Sequence, residues 1–390
     1  MSALNSRTAL ASAIALAASF GAQANEPIAL GDVVVSASGF EQKITEAPAS
    51  ISVISREELQ QKRYSNLAQA LGDVEGIDIG QGTGKTGGLN ISIRGMPSQY
   101  TLILIDGRRQ NAAGNVTPNG FGETSTSFMP PMSAIERIEV IRGPMSTLYG
   151  SDAMGGVINI ITRKVGKEWA GSLTQDYTYQ ENRDFGDTRN TSIYASGPLI
   201  EDLLGLQVRG SLFNREESDL SYGNGVDVSK RGPSPVDGRT NNLGARLTLT
   251  PHENHDFGLD IERGRQKYNN DECQLGSLDG QNRDCTASAT TANGYADELR
   301  FEREQIALTH TARLGFGTLD SSLMHNRTET IGRTIPGDII GNSSGIPGTL
   351  IGDDRDLETT NLVFDSKLVA PIGESHIATP VSYTHLRAHE

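Results

Sequence analysis

Leu204-Gly205-Leu206-Gln207-Val208-Arg209-Gly210-Ser211-Leu212 is the stretch that decides the architecture of this chain. Leu204, Leu206, Val208 and Leu212 recur at every second position, with Gly210 in the same row, and Gln207, Arg209 and Ser211 fill the positions between. Side chains of an extended strand alternate between its two faces, so this segment has one apolar and one polar face. Leu243, Ala245, Leu247 and Leu249 repeat the scheme against Arg246 and Thr248. One face suits lipid and the other water, as in a membrane-spanning β-barrel; each segment alone also fits a half-buried antiparallel sheet.

The connections carry the stronger signal, because they alternate in length. Short links fall at Gly197–Leu203, Pro251–His255, Leu314–Gly317 and Pro371–Ser375, and long polar ones near Glu181–Thr188, Asn214–Arg239, Lys267–Asp297 and Glu329–Arg355. Short turns at one rim and long loops at the other are a property of outer-membrane barrels, and a secreted sandwich has no reason to sort its loops this way. About eight strands fit between Glu168 and Val369, at roughly 25 residues per strand with its connection. Eight strands enclose only their own side chains, whereas about 22 leave a lumen that a folded domain can plug. Either the chain is incomplete or the first domain lies outside the barrel; the ending favours the first, and the fold class is read as an α+β plug domain followed by an antiparallel transmembrane β-barrel, about 22 strands when complete and about eight present here. Residues 165–379 are assigned to the barrel. Residues 380–390 (PVSYTHLRAHE) show no closing strand and are set aside as a truncated or non-native tail. An open sheet of that kind is expected to aggregate when produced as given.

Before about Arg163 the texture changes. Ser55 followed by Glu58 makes a capping box that opens a helix to about Lys62, and Ser65 can cap a second helix through Leu71. Apolar strands are expected at Ile91–Ile93, Thr101–Ile105, Ile138–Ile141 and Val157–Ile161, separated by Gly-rich turns. Residues 41–164 thus read as a compact domain with its own core. At the start, Arg7, the apolar run Ala9–Phe20 and Ala22-Gln23-Ala24 make residues 1–24 a secretory signal, with the mature chain beginning at Asn25. No run approaches the 18 to 20 apolar residues of a membrane helix, which excludes an α-helical membrane protein.

The formal charge of −14 over 390 residues argues against nucleic acid as a partner. Cys273 and Cys285, the only cysteines, lie in a stretch dense in Asn, Asp and Gly and are expected to form a loop disulfide, stabilising by about 2–3 kcal/mol. A metal site would need further ligands that no nearby His or Cys supplies. Gly80-Gln81-Gly82-Thr83-Gly84-Lys85-Thr86 imitates a phosphate-binding loop but has Ile79 where the first glycine is required. The seven histidines show no HExxH spacing, and no GxSxG elbow is present. No catalytic residue, bound metal or cofactor is expected, and the chain is not read as an enzyme.

A series of motifs runs in order through the first domain: Asp32-Val33-Val34-Val35-Ser36-Ala37, Ala47-Pro48-Ala49-Ser50-Ile51-Ser52-Val53-Ile54, Ile93-Arg94-Gly95-Met96, Thr101-Leu102-Ile103-Leu104-Ile105-Asp106-Gly107, Ile135-Glu136-Arg137-Ile138-Glu139-Val140, Arg142-Gly143-Pro144, Leu148-Tyr149-Gly150-Ser151-Asp152-Ala153 and Gly155-Gly156-Val157-Ile158-Asn159-Ile160-Ile161-Thr162. Together they resemble the TonB-dependent outer-membrane receptors, in particular the ferric catecholate siderophore and colicin I receptor branch, continuously from about Asp32 to Lys164. The resemblance implies energy-coupled import of a ferric siderophore across the bacterial outer membrane, the iron travelling as cargo. It implies that Asp32, Val33, Val34, Val35, Ser36 and Ala37, within the segment 25–40, bind TonB; short and β-branched, they suit strand addition to a partner's sheet. It also implies that Arg94 and Arg142 lock plug to barrel by pairing with wall carboxylates. Ligand-binding candidates are Arg108, Arg109 and Phe121 in the plug loop from Arg108 to Pro130. Outer-membrane lipid surrounds the barrel, and colicins or phage are further partners of such receptors. The loop is sparse in basic residues for an anionic catecholate, which leaves haem or cobalamin as alternative cargo. A passive porin or adhesin would share the barrel alternation without needing a plug or the Asp32 segment. A signalling receptor would usually carry an extra small domain before the TonB segment, and the few residues between Asn25 and Asp32 argue against that type.

Overall fold

The computed structural model describes residues 33–34, 42–43, 49–62, 64, 67–80, 89–110, 126, 128–218, 237–269, 291–292, 294–335, 337–338, 343–345, 347–373 and 376–389. Residues 1–24, expected to be a signal, together with Asp32, Val35, Ser36, Ala37, Phe121, Cys273 and Cys285, lie outside the described residues, as does Ser65. Val33–Val34 is a two-residue strand.

The first domain is built on a five-stranded sheet. Strand β1 (Ser50–Ser55) ends at Ser55, whose hydroxyl oxygen accepts from the Glu58 N–H at 3.3 Å and opens helix α1 (Arg56–Gln61), as the capping box predicts. Helix α2 (Leu67–Gly72) and the small hairpin β2 (Ile77–Ile79) and β3 (Ile91–Ile93) follow. Strands β4 (Thr101–Ile105), β5 (Arg108–Arg109), β6 (Ile135–Arg142) and β7 (Gly156–Thr162) complete the sheet, and helix α3 (Ser146–Tyr149) precedes β7. The strand order is β1-β6-β7-β4-β5, antiparallel throughout except for β7 beside β4. One face packs Ile103, Ile105, Ile138, Val140, Ile158 and Ile160 under Leu59, Leu67 and Leu71 of the helices. The other face buries Leu102, Leu104, Ile141 and Val157. Burial on both faces is why β4 and β7 read as continuous apolar runs rather than alternating ones.

From residue 170 the chain becomes a meander of long antiparallel strands: β8 (Ala170–Thr178), β9 (Thr188–Ile200), β10 (Leu204–Arg215), β11 (Gly238–His252), β12 (His255–Asn269), β13 (Tyr295–Leu314), β14 (Gly317–Arg333) and β15 (Leu357–Ile372), each hydrogen-bonded to the next. The short links at 201–203, 253–254 and 315–316 and the long ones between them follow the sorted pattern read from the sequence. Val381–His389, expected to offer no further strand, instead forms β16 against β15, with Lys367 opposite Val381 and Thr359 opposite His389.

The alternation separates two environments. Leu243, Leu247 and Leu249 on β11, Phe257 and Ile261 on β12, Ile306 and Leu308 on β13, and Leu362 and Phe364 on β15 are exposed on the outer face. These rows form an apolar band of the kind that lipid covers. The inner face is polar but dry where the first domain sits against it: Gln207 and Arg209 are 0% and 2% exposed. Among the described residues no helix is long and apolar enough to cross a membrane.

Candidate functional site

The region with the densest buried charge lies where the first domain meets the inner wall. Strands β4 and β5 are joined by Asp106-Gly107 alone, with φ of 50° and 76°, and Ile105 faces Arg108 across the turn. Two positive-φ residues make the tight hairpin turn whose twist matches the flanking strands, and Asp-Gly is a favoured pair for it. The turn aims two charges outward in opposite senses. Asp106 accepts from the Thr162 N–H at 2.7 Å and the Thr162 hydroxyl at 2.8 Å, tying the end of β4 to the end of β7. Arg246 Nη2, from β11, donates to the same carboxylate at 2.5 Å and to Asp260 of β12 at 2.5 Å. Arg108 Nη2 donates to Asp260 at 2.9 Å.

The network continues deeper into the wall. Arg209 of β10 donates to Asp260 at 2.8 Å and to Glu262 at 2.9 Å. Glu262 also accepts from Arg303 of β13 at 2.6 Å. Four guanidiniums therefore meet three carboxylates, and Arg108, Arg209, Asp260, Glu262 and Arg303 are all buried. Buried pairs of this kind add little net stability over apolar packing, but removing one member strands the others without solvent. Burial opposes ionisation of Asp106; the charges of Arg246 and Arg108 and the Thr162 N–H more than offset it, holding the carboxyl below its ordinary range.

Arg303 also grips the first domain at two places, Gln110 and Phe128. It donates to the Gln110 side-chain oxygen at 3.2 Å and to the Phe128 carbonyl at 2.8 Å, and its guanidinium lies 5.2 Å from the Phe128 ring. That ring stacks on Phe301 at 5.3 Å and fits a slot left by Gly264, where an added Cβ would stand 2.3 Å from the ring. Phe128 is thus a pin from the domain into a socket in the barrel wall.

Several residues singled out from sequence sit elsewhere than expected. Arg108, a ligand-binding candidate, is 5% exposed and committed to Asp260, because the tight Asp-Gly turn folds β5 back toward the wall. Arg109 pairs with Asp152 at 3.2 Å and donates to the Tyr149 carbonyl, both within the first domain. Arg142, expected to lock onto the barrel, donates instead to the Glu75 carbonyl at 2.6 Å and the Ser52 hydroxyl at 2.9 Å. Arg94 is exposed at φ 52°, its backbone N–H on the Gly76 carbonyl. Among the described residues the ion pairs between the first domain and the wall run through Asp106 and Arg108, with Arg246 and Asp260 as their wall partners. In the sequence Asp106 stands out only within its motif, and the wall partners are not among the residues singled out. Their signal was present: Asp260 and Glu262 are full charges at inward positions, alternating with Leu259 and Ile261. Among the described residues no group of three or more His, Cys, Asp and Glu is placed to hold a metal ion.

Known proteins share the sequence and fold of this chain over part of their length. Residues 43–157 match the TonB-dependent receptor plug domain model. The chain is 38% identical over 355 residues to the iron-regulated outer membrane virulence protein of Vibrio cholerae, covering 90% of this chain and 47% of that protein. It is 32% identical over 309 residues to the ferric enterobactin receptor PirA of Pseudomonas aeruginosa, covering 76% and 40%. The crystal structure of the siderophore receptor PirA from Acinetobacter baumannii superposes with a TM-score of 0.66 at 25% identity, over 86% of this chain and 47% of that one. The chain spans about half the length of the curated relatives it matches.

Proposed function

Because this chain belongs to the TonB-dependent receptors of the bacterial outer membrane, we propose that it serves energy-coupled import of a ferric siderophore, in which the first domain is a plug that must move. The observation that carries the reading is the way the plug is held. Strand β1 is at the edge of the plug sheet, bonded only to β6 among the described strands, while β4, β5 and β7 converge on the Asp106 lock. A pull on the chain ahead of Ser50 acts first on the edge strand, the part with fewest ties. The part nearest the wall stays anchored by buried charges. Work delivered by TonB through the segment Asp32–Ala37 is therefore spent on the weak half of the plug, and no bond is made or broken. Iron is cargo within the siderophore complex, and no resident cofactor takes part.

The test is growth under iron limitation of receptor-deficient cells making the protein, with and without Val34→Pro, on a panel of siderophores. Proline removes a ladder N–H and prevents strand addition at that position. Growth on one siderophore that disappears with the substitution is the expected result. Growth that ignores the substitution rejects TonB coupling and points to a passive pore. Growth on no siderophore turns the reading to haem or cobalamin; residues of this chain are 36% identical over 195 positions to the vitamin B12 transporter BtuB of Vibrio vulnificus.

A further inference from the structure

The plug is seated asymmetrically. Against β10 to β13 it is locked by the buried charge network, but beside α1, α2 and the segment 129–135 a cavity of about 870 Å³ separates it from the inner wall of β8 to β12. That volume lies within the range that holds a drug-sized ligand. The cavity extends from the long-loop ends of the strands, at Arg215 and Tyr268, down β8 to Ala170 and Arg163. It follows the plug's flank rather than its tip.

The lining is built for an anion. Its charged side chains are Arg56, Arg163 and Arg215 against Asp176 alone. Arg163 lies over the Tyr194 ring at 4.5 Å, and Arg215 lies 5.5 Å from the Tyr268 ring, so each guanidinium is backed by an aromatic face that orients it. Gln266, 4% exposed, has its amide nitrogen on Thr240, and its side-chain oxygen has no partner among the described residues. The Ser133 hydroxyl is likewise buried and without a partner among them. Buried polar groups are ordinarily satisfied, and both of these line the cavity. Cationic walls in a low-dielectric cleft concentrate anions.

We propose that this flank cavity is a transit site, in which Arg215 at the long-loop end and then Arg163 at the far end contact an anionic, oxygen-rich iron chelate between its capture outside and its release. The inference rests on the import reading above. It supplies the cationic contacts that the plug loop lacks once Arg108 is taken up by the lock. Helix α1, which follows the edge strand β1 directly, forms one wall, so displacement of β1 and α1 would widen the cavity.

The experiment uses whole cells making the protein and two labelled probes, an anionic ferric tris-catecholate and a neutral ferric tris-hydroxamate. Surface binding is read in de-energised cells and uptake in energised ones, for wild type, the double variant Arg163→Gln/Arg215→Gln, its Lys/Lys counterpart, and Ser192→Trp, which fills the cavity from the β9 wall. Outer-membrane abundance is measured for each. The expected result is tris-catecholate binding within about twofold of wild type, with uptake lowered roughly tenfold in the Gln/Gln variant and in Ser192→Trp. The Lys/Lys variant should recover most of the uptake. Unchanged uptake in both the Gln/Gln and Trp variants overturns the proposal, as does a parallel loss of binding and uptake, which would place the arginines at capture. If the Gln/Gln variant fails to accumulate, Ser192→Trp alone decides. Wild-type cells that take up neither probe refute the import reading itself, which is distinct from failure of the transit site.

Discussion

At Asp106 a single carboxylate joins the end of β4, the end of β7 and the barrel wall, so its ionisation is a property of the assembled interface. Its folded-state pKa lies below the ordinary Asp value. The folded protein thus binds fewer protons than the unfolded chain near that value, and the stabilisation is full above about pH 3.9 and lost as pH falls through the lower folded value. Urea unfolding from pH 7 to pH 3 should show Asp106→Asn destabilised at neutral pH and converging on wild type in acid; a gap that persists unchanged in acid would contradict this. Asp260 touches Arg108, Arg209 and Arg246, so Asp260→Asn leaves two buried cations and one half-buried one short of a partner and should cost about 3–5 kcal/mol. A denaturation midpoint unmoved by that change would show that water reaches the cluster. The Phe128 socket offers a compensation test. Gly264→Ala should destabilise by about 1–3 kcal/mol through its collision with the ring, and Phe128→Ala should remove most of that penalty in the double variant. These contacts were legible only in fragments. Asp106-Gly107 announces a tight turn by its type, but nothing local says which strand, 140 residues further on, supplies the arginine.

Elements divide into those whose period reveals their surroundings and those whose burial hides it. The barrel strands alternate because lipid and lumen differ, and their faces were read correctly from Leu204 to Leu212. Leu247→Arg on the outer face of β11 should lower stability by about 2–4 kcal/mol if the residue lies near the midplane, and less toward either rim. Folding titrations in lipid vesicles measure this, and a neutral result would place Leu247 in the headgroup zone. Strand β1 was not assigned from pattern, because SISVIS is short and only Ile54 is fully buried. Its place at the sheet edge makes it the element that the proposed import would displace first. Ser52 faces Val140 across β1 and β6, and cysteines at both positions should tether the strand when oxidised. Energised uptake is expected to stop on oxidation and return on reduction. Uptake that continues through the tether would mean that β1 stays in place.

For the whole molecule, the strand alternation and the sorted loops pointed to a barrel, and the change of texture near Arg163 to a separate first domain, because lipid, lumen and core each impose a period or a length that local sequence must obey. The capping box at Ser55, the strand pairs and the alternating turns follow from the same local rules, and the motif series from Asp32 to Lys164 identified the family. Tertiary structure alone decided how plug and wall are joined. A charged side chain carries no label for its partner, so the lock was expected at Arg94 and Arg142 and Arg108 was expected at the ligand, whereas Arg108 and Asp106 are the residues that meet the wall. The choice depended on which strand ends the fold carries to the wall. The same closure of distant segments left one flank of the plug pinned and the other open, a difference between two gaps that no single stretch of chain contains.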